Sequence, residues 1–530
     1  MQTAAKADDL GPVVKQEPLL EWPLHPYFAQ LIVFVASAAT MVVELVAGRI
    51  MAPYIGVSLY TWTSIIGVVL AGMSLGNYLG GKLADRAASR LTLALIFFAS
   101  ALSCLAILVL TELIMGSGLE VPLPLVPRIV FFTTIIFFTP ACLLGFVSPI
   151  VVKLTLRDLS RTGSIVGRIY AFSTAGSIVG TFLTGFVLVE HLGTRAIIWL
   201  VAAVLILLGV IAGQFWRRRD TLLAFLGVLA IYGGLFTQRD LFAAPCHRET
   251  SYFCIRISES QIDGRPVRAM VLDHLVHSYT SLEDPTFLGY GYERVYAEVL
   301  EYYAQGRSNM HLLFIGGGGY TFPRYAGATY PDAHLDVVEI DPGVTEMAHR
   351  YFDLDKTRNL TSFNMDARLF YKEYHAQIRG KYDAAFGDAF NDLAIPYHLT
   401  TVEFNQMIRA SLKPDGVYMA NVIDNYKTGE FMRAYANTLR RVWPYVYLLS
   451  QGEAWHIARA NTYVLLATNQ PFDREAFYRT LERGGRPVYT RMLDDATFAQ
   501  YLAQGRQIIF TDEYAPADNL VAPLFLERGY

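Results

Sequence analysis

Charge is scarce in this chain. Only 17% of its 530 residues are Asp, Glu, Lys or Arg, against about a quarter in an average soluble protein. Neither sign dominates: 44 basic against 47 acidic residues leave a formal charge of −3, so no basic surface for nucleic acid is implied. Cysteine is equally sparse. Four cysteines cannot make a disulfide-rich scaffold, and no CxxC pair marks a zinc site. Low charge with 53% hydrophobic residues excludes disorder and makes a purely soluble protein a poor fit.

What is present is unevenly distributed. Residues 1–25 are polar, with Pro12, Pro18 and Pro23, and read as a surface arm; they lack the three-part pattern of a signal peptide. Over 26–240 come long apolar runs. Spans are expected near 28–48, 60–80, 91–111, 129–152, 169–189, 196–216 and 221–237, each close to the ~20 residues a bilayer requires. The last is the shortest. Beyond it charge returns, and the soluble part divides into a small β unit with a connecting helix (241–300), an α/β domain (301–470) and a C-terminal helical extension (471–530).

Lysine and arginine are biased among the short loops. Ten fall after the second, fourth and sixth spans (Lys82, Arg86, Arg90; Lys153, Arg157, Arg161, Arg168; Arg217, Arg218, Arg219). Three fall elsewhere: Arg49, Arg128 and Arg195. This places the basic loops and the N-terminus in the cytoplasm. Seven full spans then put the soluble part outside, whereas a cytosolic cosubstrate requires it inside with 221–237 failing to cross. The second arrangement is the expectation. Gly72, Gly76 and Gly80, and Gly176 with Gly180, have the spacing of close helix packing. Glu44 and Arg49 are expected to pair, to snorkel or to line a polar pocket.

In the soluble part, Tyr252–Ser258 and Val267–Asp273 flank the turn Asp263-Gly264 as a hairpin. The pattern then becomes strand, glycine loop, helix. His311–Ile315 is an apolar strand, Gly316–Gly319 follow at once, and the next strand ends in Glu339-Ile340-Asp341. Glycines let backbone approach a ligand at a helix N-terminus, and an acidic residue ~20 positions on accepts ribose hydroxyls. Asp366 follows a third short strand. Asp388 ends the strand Tyr382–Gly387, at the edge where open α/β sheets bind ligands.

These motifs resemble the spermidine-synthase-like polyamine aminopropyltransferases over roughly 250–470. They are Val271-Leu272-Asp273…His277, Tyr296-Ala297-Glu298, Ile315–Gly319, Val338–Pro342, Asp366-Ala367 and Lys381-Tyr382-Asp383…Asp388. The stretch Asp388–Asp392, Ile395–Leu399 and Thr511–Leu520 is similar to the branch of that family with an N-terminal membrane region. The resemblance implies an α-helical transmembrane bundle joined to a class I S-adenosylmethionine-dependent transferase domain, in a bacterial inner membrane. It implies S-adenosylmethionine or its decarboxylated form as cosubstrate and no metal. An amine or lipid-like acceptor, the lipid bilayer and a second copy in a homo-oligomer are the partners it suggests.

Residue by residue, Gly316, Gly317 and Gly318 line the cosubstrate, Glu339 holds the ribose, Asp366 the adenine edge, and Asp388 is the base. Asp341, Ala367 and His277 complete the nucleoside set; Tyr296, Glu298, Asp392 and Tyr514 face the acceptor. Three positions depart from the soluble members. Gly319 replaces an aspartate that meets the transferred chain's amine, His277 replaces a glutamine, and Ala389-Phe390-Asn391 replaces Ser-Ser-Asp after the catalytic aspartate. Other chemistry of the same sulfonium (methyl transfer, or elimination or cyclisation) and a transporter or sensor with a non-catalytic domain therefore stay open.

Overall fold

The computed structural model describes residues 24–114, 123–156, 159–215, 219–238, 246–389, 395–457, 459–485 and 487–527. Six of its helices are long and apolar enough to cross a membrane: α1 (Pro26–Ile55), α2 (Leu59–Ala87), α3 (Arg90–Ile114), α4 (Val126–Thr155), α5 (Thr162–His191) and α6 (Thr194–Gly213). A seventh, α7 (Arg219–Gln238), is unbroken over 20 residues, about 30 Å at 1.5 Å per residue. Each matches one expected span, although the helix for 196–216 already ends at Gly213. The 221–237 segment is helical throughout, within a helix of 20 residues that is not among those six.

Close packing fixes the helix directions. Gly176 and Gly180 of α5 lie on Phe34 and Ala38 of α1, so these two run parallel. A Cβ added at Gly176 would stand 2.1 Å from the Phe34 carbonyl oxygen. Gly76 of α2 meets the Cys142 carbonyl of α4 as closely, at 2.0 Å, with Gly72 and Gly80 on Phe138 and Phe146. Both small-residue stripes are packing faces. α6 runs against α3: Gly213 packs on Ala94, while Arg195 reaches Glu112 at the far end, 3.4 Å away.

These directions give the bundle two unlike ends. One carries Arg86, Arg90, Lys153 and Arg161, with Lys153 3.1 Å from Asp85. The soluble part attaches to the other end. There Arg49 donates to the carbonyls of Thr250 and Ser251, the Thr194 N–H donates to Glu249, and Tyr60 donates to Asn519. Arg49 does not pair with Glu44. α7 starts beside the start of α3, with Phe225 stacked on Phe98 (3.9 Å), and Cys246 lies at the opposite end with Arg49 and Glu112.

The soluble part opens with an antiparallel sheet in the order β1 (Arg248–Glu249), β2 (Cys254–Ile262), β3 (Arg265–Leu272) and β4 (Leu275–Thr280). Ile262 pairs with Arg265 across Asp263-Gly264. Both turn residues have positive φ, 51° and 75°, which a tight hairpin demands. Helix α8 (Gly291–Ala304) leads into an eight-stranded sheet. Its strands are β5 (His311–Ile315), β6 (His334–Glu339), β7 (Leu360–Asn364), β8 (Tyr382–Gly387), β9 (Leu412–Asp424), β10 (Tyr445–Gln451), β11 (Asn461–Thr468) and β12 (Thr490–Met492).

The strand order is β12-β10-β11-β9-β8-β5-β6-β7. Strands β5 to β9 pair in parallel, while β10, β11 and β12 join antiparallel. Parallel strands covered on both faces read as apolar runs, unbroken in Leu312–Ile315 and interrupted by Asp336 alone in Leu335–Val338, which is why both were legible. Chain order reverses at β5, with β6 on one side and β8 on the other. A crevice therefore opens at their carboxyl ends.

Candidate functional site

That crevice is a cavity of about 370 Å³, within the range of small-molecule sites. Its floor is the glycine turn between β5 and α9 (Thr321–Thr329). Gly316 has φ 98°, and a Cβ there would stand 2.5 Å from the Asp388 carbonyl oxygen, so only glycine fits between the two strand ends. The Gly317 N–H donates to Glu339 Oε2 (2.7 Å), and the Asp341 N–H donates to Glu339 Oε1 (2.9 Å). One buried carboxylate at the end of β6 thus ties the glycine turn to the start of α10 (Pro342–Tyr351). Burial pushes its pKa upward, against those two backbone donors.

Asp366 caps α11 (Ala367–Glu373), accepting from the Leu369 N–H, and its other oxygen meets His398 Nε2 at 2.9 Å. The His398 hydrogen bond holds this carboxyl below the usual range. Ala367 begins the helix and lines the cavity beside it.

Asp388 stands at the carboxyl end of β8. Tyr292 donates to its Oδ2 (2.6 Å) and Asn421 Nδ2 to its Oδ1 (2.8 Å). Burial pushes its pKa up to about 6, with both hydrogen bonds opposing the shift. Tyr296 donates to the carbonyls of Gly387 and Met419, holding the strand that presents Asp388. His277 lines the opposite wall. Burial and the charge of His274 push it down to about 4, so it is neutral at pH 7, and its buried Nε2 has no protein partner.

The cavity therefore gathers Gly316, Gly317, Gly318, His277, Tyr296, Glu339, Asp366, Ala367 and Asp388. Asp341 is different. It is 1% exposed, caps α10 through Gly343 and accepts from Thr250, so it supports the site without lining it. Glu298 points away from the cavity and accepts from the Tyr489 and Thr490 N–H groups. Tyr514 is 59% exposed in a turn paired with Thr511, also outside the cavity. Neither lines this cavity. Asp392 lies outside the described residues.

Several lining residues had no assignment from sequence: Tyr252, Glu293, Tyr292, Asn421 and His398. Glu293 is buried on the first turn of α8, accepts from the Tyr290 N–H, and is pushed up to about 8 by burial. The pattern Tyr292…Tyr296, four apart on one helix face, was the available signal for Tyr292. Gly319 also gains a physical explanation. A Cβ there would stand 2.0 Å from Ser278 Oγ, so no acidic side chain fits without displacing β4.

If Tyr292 steadies the Asp388 carboxylate, Tyr292→Phe raises the pKa of Asp388. The acid limb of the kcat/KM profile, near pH 6 in the parent, then moves to higher pH. A pH–rate profile of both proteins checks this; an unmoved limb contradicts it.

A parallel sheet reversing at β5, closed by an antiparallel hairpin, with glycine turn and acidic strand ends around one crevice, defines a class I α/β transferase fold. No protein-family model matches the chain. It is similar to a polyamine aminopropyltransferase of Vibrio vulnificus, 40% identical over 117 residues, covering 22% of this chain and 38% of that one. It is also 24% identical over 440 residues to polyamine aminopropyltransferase 2 of Streptomyces coelicolor, covering 77% and 76% of the two chains. Only 290 of 530 residues follow position 240, so this second match extends into the helical bundle. A solved structure of a probable spermidine synthase from Corynebacterium glutamicum aligns with 50% of this chain and 95% of its own, at 20% identity and a TM-score of 0.43. The motif resemblance to this family is borne out by relatives that carry its name. The chain spans about two-fifths of the length of the Vibrio vulnificus relative.

Proposed function

We propose that the chain is a membrane-bound, spermidine-synthase-like transferase. It uses decarboxylated S-adenosylmethionine, or S-adenosylmethionine itself, to alkylate an amine and releases methylthioadenosine. The observation that carries this reading is Asp388, a buried carboxylate at about pKa 6, facing the cavity that Glu339 and Asp366 also line.

In this reading Glu339 accepts the ribose hydroxyls, Asp366 the adenine amine, and the glycine turn lies under the thioether end. The amine nitrogen's lone pair forms the new N–C bond as the S–C bond breaks, and that electron pair returns to sulfur as a thioether. The proton shed by the amine passes to Asp388. Little more is required, since the sulfonium is already a good leaving group. The protein's part is to align the nucleophile and take its proton. The test is release of methylthioadenosine by the purified full chain across a panel of primary amines. Amine-dependent release is expected, and nucleoside binding with no product contradicts it.

A second reading, elimination or cyclisation within the same sulfonium, is favoured by Gly319. The aspartate that anchors the transferred chain's amine in soluble members would crowd Ser278 there. It predicts methylthioadenosine release without any amine.

The reading also holds that α7 crosses the bilayer, so that the cavity faces away from the cytosol. Three observations support this over the cosubstrate-supply argument: α7 is full-length, the soluble part attaches at the end opposite the basic loops, and Cys246 is disulfide-bonded to Cys254. The cosubstrate then has to reach that face. In a Cys254→Ser variant, Cys246 is freed, and an impermeant maleimide applied to intact cells is expected to label it. Labelling only after permeabilisation places the domain in the cytosol and overturns this part.

A further inference from the structure

The loop between Cys246 and Cys254 touches three things at once. Its ends are tied by the disulfide and by pairing of Glu249 with Cys254. Its outer side is gripped by the helical bundle. Arg49, near the end of α1, donates from Nη1 to the Ser251 carbonyl (2.7 Å) and from Nη2 to the Thr250 carbonyl, 202 and 201 residues away in sequence. Glu249 accepts from the Thr194 N–H at the start of α6 (3.1 Å).

Its inner side meets the cavity. Thr250 Oγ1 donates to Asp341 Oδ2 (2.6 Å) and accepts from the Phe253 N–H (2.9 Å). Asp341 in turn donates its own N–H to Glu339. Tyr252 and Phe253, two and three residues further along the loop, form part of the cavity wall.

We infer that this loop is a strut through which the first bundle helix positions the nucleoside end of the cavity, with Arg49 and Thr250 as positioning residues and the disulfide fixing the strut's length. The inference rests on the transferase reading for the identity of the ligand, but the mechanical link does not. A guanidinium suits the task, since its planar fork serves two neighbouring carbonyls at once. Without it those carbonyls lose their donors. The loop is then free to lift, taking Thr250 off Asp341 and the Tyr252–Phe253 wall off the ligand.

The test uses the full chain in lipid nanodiscs, with Arg49→Gln, Thr250→Val and the double variant Cys246→Ser/Cys254→Ser. Asp85→Asn at the opposite end of the bundle is the control. Two readouts are taken: calorimetric binding of methylthioadenosine, and amide exchange over residues 250–253. Each test variant is expected to weaken binding about tenfold, the size of one lost hydrogen bond, and to speed exchange at Phe253. In turnover, KM rises by about the same factor while kcat changes less than about twofold. Asp85→Asn changes neither. Parent-like binding and exchange in folded Arg49→Gln overturn the strut. Parent protein that binds no nucleoside overturns the transferase reading instead, and the exchange result alone then decides the strut.

Discussion

Glu339→Ala is expected to abolish nucleoside binding. The carboxylate has two tasks, and alanine removes both. Its oxygens already hold the Gly317 and Asp341 N–H groups, and their remaining lone pairs face the cavity where a ribose would donate. Hydrogen bonds to a charged acceptor contribute about 1.5–3 kcal/mol each, so losing two ribose contacts weakens binding by about 10²-fold or more. The two backbone N–H groups are also left unpaired in a buried place, which loosens the glycine turn. Calorimetry with methylthioadenosine measures the loss. Glu339→Gln, which keeps one acceptor oxygen, is expected to fall between the parent and alanine. Parent-like affinity in Glu339→Ala removes the basis for placing the ribose at β6.

Asp388→Asn is expected to spare binding and reduce turnover by about 10²–10⁴-fold, the usual size of a lost general base. Asparagine keeps the shape and retains hydrogen-bonding capacity toward Tyr292 and Asn421, but it cannot take a proton. The parent's rate should fall as pH drops through about 6, because burial has raised the carboxyl to that point and the protonated form is no base. The sign for stability is opposite to that for activity. A carboxyl whose folded pKa lies above its unfolded value binds protons more readily when folded. Its contribution therefore favours folding at acid pH and is lost as pH rises through about 6. The asparagine variant should accordingly show no drop in thermal stability at pH 7. Full activity in that variant would refute the catalytic role.

The parts of the site legible in the sequence are those carried by strand ends. β5, β6 and β8 are buried on both faces, so each reads as a short, mostly apolar run, broken only by Asp336 in β6 and Asp383 in β8, and the end of each run is at the crevice by construction. Gly316, Glu339 and Asp388 were found that way. Positions on α8 were legible only in part, because a helix turns its residues through different directions. Tyr296 and Glu298 belong to one short motif but sit about 200° apart around the axis. Tyr296 thus faces β8 and the cavity, while Glu298 faces the Tyr489–Thr490 backbone.

Contacts between distant segments were invisible for a different reason. Arg49 reads as a charge at the end of an apolar span, with Glu44 the obvious neighbour, yet its partners are carbonyls, which every residue has and no side-chain pattern marks. The partnership of Asp366 with His398 joins two loops 32 residues apart. The supporting role of Asp341 likewise needed Thr250, 91 residues away in sequence.

The central claim concerns which bond of the sulfonium is broken in this cavity, and one measurement addresses it. Decarboxylated S-adenosylmethionine labelled separately in its adenosine and in its aminopropyl carbons is incubated with the full chain and a primary amine, and both labels are followed. The account predicts adenosine label in methylthioadenosine and aminopropyl label covalently joined to the amine, in equal amounts, with Asp388→Asn slowing both together. With S-adenosylmethionine in its place, adenosine label in S-adenosylhomocysteine would mean that the methyl group had left, and aminopropyl label in a free cyclic or unsaturated product would mean that no acceptor was used. Either result would contradict the account.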